Sequence, residues 1–170
     1  LHTRISETLD NYLQKTQYGF RKNKSTADAL HLIRRIIEYG ESTKNQLHLV
    51  LLDWEKAFDK VIREEMFTAM ERMGIDIKLI KLVKTLYKNT TFKVEIEGNT
   101  SDWQEQHTGI RQGCPLSPYL FLIVMTVMFE DVHHKLDHKL KMHRTPGADF
   151  DEVTYADDTI CFSTDSRTTN

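Results

Sequence analysis

The sequence predicts an α+β fold, and three observations predict it. Most of the chain repeats apolar residues at helical spacing, while strand-like runs are few and short. An apolar run over residues 46–53 ends abruptly in Asp53. Near the other end, Val153 and Tyr155 lead into Ala156-Asp157-Asp158, and Ile160, Cys161 and Phe162 follow. That arrangement reads as a β-hairpin with its acids at the turn. The element order is helices, strand, helices, hairpin, long helix, hairpin.

Ser25 or Thr26 can cap a first helix running to Tyr39, with Leu30, Ile33 and Ile37 as its apolar stripe and Gly40 as its stop. Residues 46–53 then read as a buried strand, because a continuous Leu- and Val-rich run lacks the alternation of a half-exposed one. Arg63 to Met73 predicts a second helix with Met66, Phe67, Met70 and Met73 inward and Gly74 after it. This methionine stripe is read as core. Ile77, Ile80 and Val83 mark a third helix ending near Asn89. Phe92, Val94 and Ile96 alternate with Lys93, Glu95 and Glu97, which predicts a half-buried strand turned back at Gly98-Asn99 through Trp103. Arg111 to Pro118 reads as a loop into a long helix starting at Ser117, with Pro118 at its beginning. The apolar run Tyr119–Phe129 is too short to cross a bilayer and reads as a buried helix. His133, His134, His138 and His143 follow among lysines. They are read as an exposed helix end, with zinc ligation as the alternative.

At 170 residues the chain is long enough for one core and one domain. A net charge of −2 does not advertise nucleic-acid binding, so any such contact must come from local patches. Lys and Arg outnumber Asp and Glu in the first 48 residues. Lys78, Lys81, Lys84 and Lys88 recur at helical spacing, either facing a phosphate backbone or lining a solvated face. Cys114 and Cys161 have no metal-type spacing; Cys161 reads as a small buried hydrophobe. No low-complexity tract, repeat or secretory apolar region is visible, and reduced intracellular thiols are expected. The chain starts at Leu1 without Met and ends at Asn170 just past the hairpin, so both ends are expected to be cut.

The chemistry is carried by carboxylates. Asp157 and Asp158 repel one another unless cations neutralise them. Asp53, 104 residues earlier, ends its own strand. If the two strands are neighbours, three carboxylates converge and can hold two metals about 3.5–4 Å apart. An oxygen-only donor set without clustered Cys favours Mg²⁺ over Zn²⁺. Two blander readings stand beside this one: Asp53 as a helix N-cap, and Asp157-Asp158 as a plain turn.

Four stretches in order resemble the motifs of reverse transcriptases. Gln17-Tyr-Gly-Phe-Arg21 followed by Ser25-Thr-Ala-Asp28 resembles the fingers motif. Asp53-Trp-Glu-Lys-Ala-Phe58-Asp-Lys-Val resembles the first carboxylate motif. Gly109-Ile-Arg-Gln-Gly113-Cys-Pro-Leu-Ser-Pro-Tyr-Leu-Phe121 resembles the next. Tyr155-Ala-Asp-Asp158 resembles the catalytic hairpin. The variants look most like LINE-type, non-LTR retrotransposons, with group II intron enzymes as nearest competitor.

The resemblance implies a polymerase palm with part of the fingers, an antiparallel catalytic sheet packed by helices, and a thumb outside this chain. It implies fingers and fingers/palm elements at about residues 1–45 and 60–110, and palm at 46–59 and 110–170. Asp53, Asp157 and Asp158 are expected to be the metal-binding catalytic triad for two Mg²⁺, with Mn²⁺ as a substitute. Phe58 is expected under the sugar of the incoming dNTP, Gln112 and Gly113 beside that nucleotide, and Arg21 on its triphosphate, where a planar fork suits phosphate oxygens. The expected partners are an RNA template, a DNA primer and dNTPs, with no membrane; the expected location is intracellular, and the nucleus in a eukaryotic host. Rival readings are an inactive remnant that only binds nucleic acid, an intron-type maturase and a two-metal nuclease.

Overall fold

A computed structural model describes Ser6, residues 9–135 and residues 150–164. Helix α1 spans Thr26–Thr43 and is closed at its start by a reciprocal capping box. The Asp28 amide donates to Ser25 Oγ at 3.2 Å, and the Ser25 amide donates to Asp28 Oδ2 at 2.8 Å. The helix passes through Gly40 and ends only at Lys44, in the left-handed region at φ 53°. Gly40 serves packing instead: a Cβ there would lie 3.3 Å from Leu47 Cβ. The expected stripe is also displaced. Leu30 and Ile37 are exposed, while Ala29, Ile36 and Gly40 are buried. The small residues let the helix approach closely, and Ala29 and Ile36 pack with Val153 and Phe162.

The central sheet has the order β1 (His48–Leu52), β7 (Asp158–Ser163), β6 (Glu152–Tyr155), all antiparallel. Leu52 pairs with Thr159, and Tyr155 with Asp158. The expectation that β1 is buried is corrected. It is an edge strand, Leu51 is 74% exposed, and Leu49 and Leu52 are exposed as well. Its apolar run reflects one-sided pairing with β7 while α1 covers the β6 side. Cys161 is half-buried. Burial, and then the carboxylates of Glu152 and Asp151, push its thiol up to about 11.

The main core is helical. Helix α2 (Arg63–Arg72) packs on α4 (Ser117–Lys135), and α3 (Ile77–Leu86) leans on α2. Met66, Met70, Ile80, Val83, Leu120 and Ile123 are shut from solvent. Truncating one such side chain to Ala costs about 2–5 kcal/mol. Over Tyr119–Phe129 helix α4 is apolar nearly all round, as a helix central to a core must be, and its charged residues gather in the last turns. No helix among the described residues is long and apolar enough to cross a membrane. Met73 is only half-buried, and Ile77 is exposed because it opens α3 beside its cap, Asp76. Lys78, Lys81 and Lys84 on α3 and Lys88 just past its end face solvent, with Lys84 3.8 Å from Glu71.

The expected half-buried strand at 92–97 is corrected too. Two short pairs form instead: β2 (Thr91–Phe92) with β5 (Gln104–Glu105), and β3 (Glu95–Ile96) with β4 (Asn99–Thr100). All of these residues are exposed. The turn is Glu97-Gly98 rather than Gly98-Asn99. Both central residues have positive φ, 51° and 81°, which suits a tight hairpin loop matched to strand twist.

The histidine tract is corrected in part. His133 is half-buried, with Nε2 3.2 Å from Asp151 Oδ1 and 3.0 Å from Glu152 Oε2. His134 is exposed; His138 and His143 lie outside the described residues. Burial, reinforced by Asp151, pushes the Glu152 carboxyl up to about 8.

Candidate functional site

The register of the sheet brings the acids together. Leu52 is opposite Thr159, so Asp53, the next residue, emerges beside Asp158 at the same end. Tyr155–Asp158 is the last pair of the hairpin, which leaves Ala156-Asp157 as its two-residue turn. Asp53 and Asp158 both line a cavity of about 370 Å³ closed by Thr26, Ala29 and Ile33 of α1. Asp53 and Asp158 are exposed and Asp157 is half-buried. Their oxygens do not close to within 4.8 Å of one another; like charges separate unless a cation lies between them. Asp53 is not a helix cap, because turns follow it and the next helix starts at Arg63 with Ile62 in the capping position. The Trp54 indole donates to Thr159 Oγ1 at 3.2 Å, and that hydroxyl donates to the Asp157 carbonyl at 3.1 Å. One small chain of bonds thus ties the segment after β1 to the hairpin tip.

The tip is also braced from the N-terminal side. Residues 16–18 run beside β6: the Tyr18 amide donates to the Thr154 carbonyl at 2.8 Å, and the Thr154 amide donates to the Thr16 carbonyl at 2.9 Å. Gln17, 2% exposed, then reaches Ala156 with both ends of its amide. Ala156 holds φ 57°, a left-handed conformation that costs a residue with a Cβ. Gly19 lies so close that a Cβ on it would come 2.2 Å from the Ala156 nitrogen.

A separate bonded unit is built from residues 58–63 and 108–113. The Ile110 amide donates to the Phe58 carbonyl at 2.9 Å, and the Gly109 amide donates to the Val61 carbonyl at 2.8 Å. Gly109 has φ 83°, and a Cβ there would meet the Asp59 carbonyl oxygen at 2.9 Å. Arg63 fastens this unit with donations to Thr90 Oγ1 at 2.7 Å and the Gly109 carbonyl at 3.2 Å. Phe58 is half-buried, stacked on Phe121 at 4.3 Å and edge-on to Phe20 at 6.3 Å. Gln112 is exposed and donates to Asp59 Oδ1 at 3.3 Å. Gly113 has φ 84° and open space where a side chain would stand. Phe58, Gln112 and Gly113 are therefore joined through Asp59 and the backbone between them.

The family profile described as "Reverse transcriptase (RNA-dependent DNA polymerase)" matches residues 1–169. The chain belongs to the reverse transcriptases. Its relatives include the Pol polyprotein of the type-1 retrotransposable element R2 of Nasonia vitripennis, 29% identical over 74% of this chain and 12% of that protein. The RNA-directed DNA polymerase of mobile element jockey of Drosophila melanogaster is also 29% identical, over 86% of this chain and 15% of that protein. Both are non-LTR retrotransposon polymerases. This chain spans well under a quarter of the length of either. Among solved structures, apo telomerase of Candida tropicalis truncated from its C-terminal domain superposes with a TM-score of 0.69. It covers 99% of this chain and 34% of that one, at 14% identity. That likeness concerns the fold, a reverse transcriptase palm-and-fingers arrangement of helices and antiparallel sheet.

One expected site residue of this reverse transcriptase domain, Arg21, is bonded locally. The Arg21 side chain is 7% exposed, and its guanidinium is engaged locally. It donates to Asp10 Oδ1 at 2.8 Å and to the carbonyls of Gln14 at 2.7 Å and Asp10 at 2.9 Å. In this structure the guanidinium donors of Arg21 hold residues 10–17. Sequence reasoning also passed over Gln17, Gly19, Trp54, Thr159, Gly109 and Arg63 as builders of the site. The only signal for Gln17 and Gly19 was their place inside the fingers motif.

Proposed function

We propose that this reverse transcriptase domain performs RNA-directed DNA synthesis for a non-LTR retrotransposon, adding deoxynucleotides to a primer 3′-hydroxyl. The observation that carries this reading is the β1–β7–β6 register, which sets Asp53 beside the Asp157-Asp158 tip. The donor set fits hard divalent cations, since three carboxylates stand at the same end of the sheet without a thiol or imidazole among them. Asp53, Asp157 and Asp158 would hold two Mg²⁺, or Mn²⁺ in their place. When bound, such ions lower the pKa of the primer hydroxyl and offset charge on the pyrophosphate leaving group.

The protein's own residues do the rest. The Gln17 brace and the Trp54–Thr159–Asp157 bonds keep the carboxylates where the chemistry needs them, which is worth rate because misplaced groups lose it steeply. Phe58, held flat by Phe121, selects deoxyribose by excluding a 2′-hydroxyl. Gln112 and the bare backbone at Gly113 accept the incoming nucleotide at close range. Fingers are assigned to about residues 1–45 and 60–110, palm to 46–59 and 110–170. The template is RNA, the primer DNA, and the place of work the nucleus where the host is a eukaryote.

The test is extension of a DNA primer on an RNA template by the purified protein. Template-directed dNTP incorporation that needs a divalent cation supports the reading. Cleavage of nucleic acid without any dNTP points to a two-metal nuclease instead, and salt-sensitive RNA binding without extension to a binding remnant.

A further inference from the structure

One part of the histidine tract is left unused by polymerisation. We propose that His133, Asp151 and Glu152 form a second metal site, separate from the triad, for a zinc-class divalent ion that clips the end of α4 to the start of β6. One ligand atom from each of the three lies within 4.8 Å of the others.

The spacing suits an ion. Ligand atoms about 2.0–2.2 Å from a tetrahedral centre stand roughly 3.3–3.6 Å apart. The His133 nitrogen is 3.0 and 3.2 Å from the two carboxylate oxygens, a few tenths of an ångström short of that. Glu152 is oriented for the task. It is 3% exposed, and its Oε1 accepts from Gln14 Nε2 at 3.0 Å and from Thr16 Oγ1 at 3.4 Å. Its Oε2 is thereby turned to His133. Outer partners that fix one oxygen and present the other are what a metal-ligating carboxylate requires. The charges also balance once the ion displaces the Glu152 proton, because two carboxylates and one neutral imidazole are neutralised by a single divalent cation. Access exists on one flank, because the side chains of His133 and Asp151 are 29% and 24% exposed while that of Glu152 is 5%. Water can enter there as a fourth ligand.

The donor types distinguish this site from the triad. Imidazole with carboxylate suits Zn²⁺, whereas carboxylates alone suit Mg²⁺. The two sites occupy opposite ends of β6, with Glu152 at its start and the Ala156-Asp157 turn beyond its finish. The clip joins residues 133 and 151–152 across the intervening chain and steadies the strand that carries the catalytic turn.

The experiment is equilibrium dialysis of the metal-free protein with ZnCl₂ in millimolar MgCl₂, with bound zinc counted by elemental analysis and melting followed in parallel. One Zn²⁺ per chain and a raised melting temperature are expected. His133→Ala, which removes a half-exposed side chain, should weaken zinc binding at least tenfold with its circular dichroism unchanged. Asp157→Asn and the double variant His138→Ala/His143→Ala should both retain the ion. Zinc held equally by His133→Ala, lost from Asp157→Asn, lost from the His138/His143 variant, or not held by the wild type would overturn the proposal. This test stands or falls independently of polymerase activity.

Discussion

Gln17 holds the peptide groups of Ala156 from both sides: its Nε2 donates to the Ala156 carbonyl at 3.0 Å, and its Oε1 accepts from the Ala156 amide at 2.8 Å. The same Oε1 accepts from the Gly19 amide at 2.7 Å. A residue 139 positions away thus secures the left-handed turn on which Asp157 rides.

Replacing Gln17 with Ala leaves buried backbone groups without partners. The expected cost is about 2–3 kcal/mol in urea unfolding, with a loss of nucleotide addition larger than the loss of folded protein explains. Unchanged stability would show that the turn holds itself.

Phe58→Ala should relax sugar selection, raising ribonucleotide incorporation relative to deoxynucleotide. It also removes the stack on Phe121 and should lower the melting temperature. An unchanged incorporation ratio would place Phe58 in the core alone.

Arg21→Lys separates two roles. The buried fork of Arg21 serves residues 10–17, so the variant should melt earlier while the KM for dNTP stays within about twofold, well short of the tenfold that 1.4 kcal/mol of lost binding would produce. A large rise in KM at unchanged stability would support the triphosphate role.

The Asp10–Arg21 pair predicts an acid dependence. The hydrogen bond from Arg21 holds the Asp10 carboxyl below its usual 3.8. Stability from the pair is therefore full above 3.8 and is lost as pH falls through the lowered folded value. Unfolding curves of wild type and Asp10→Asn should differ near neutral pH and converge in acid. A gap that persists at the lowest pH would remove ionisation from the account.

Particular elements show what could be read from sequence. Helix α4 was legible because its run Tyr119–Phe129 is apolar nearly all round and has one place to go, and the approach of Asp53 to the hairpin followed once their strands were taken as neighbours. The burial of β1 was misread because an apolar run records what a strand avoids, not which of its neighbours is present. The stripe on α1 shifted because Ala29 and Gly40 are small enough to be buried by close approach, which hydrophobicity alone does not register. Gln17 was opaque as a brace, since its partner is fixed only once β6 folds beside residues 16–18. The same holds for Arg21, whose local bonds compete with the phosphate role that its chemistry permits.

The most direct test of the central claim is RNA-templated primer extension by Asp157→Asn beside the wild type, with folding of both monitored by circular dichroism. A folded protein that adds no nucleotides is expected, because one of the two carboxylate charges at the hairpin tip is gone while its geometry is kept. Extension at the wild-type rate would contradict the assignment of Asp53, Asp157 and Asp158 as the catalytic centre.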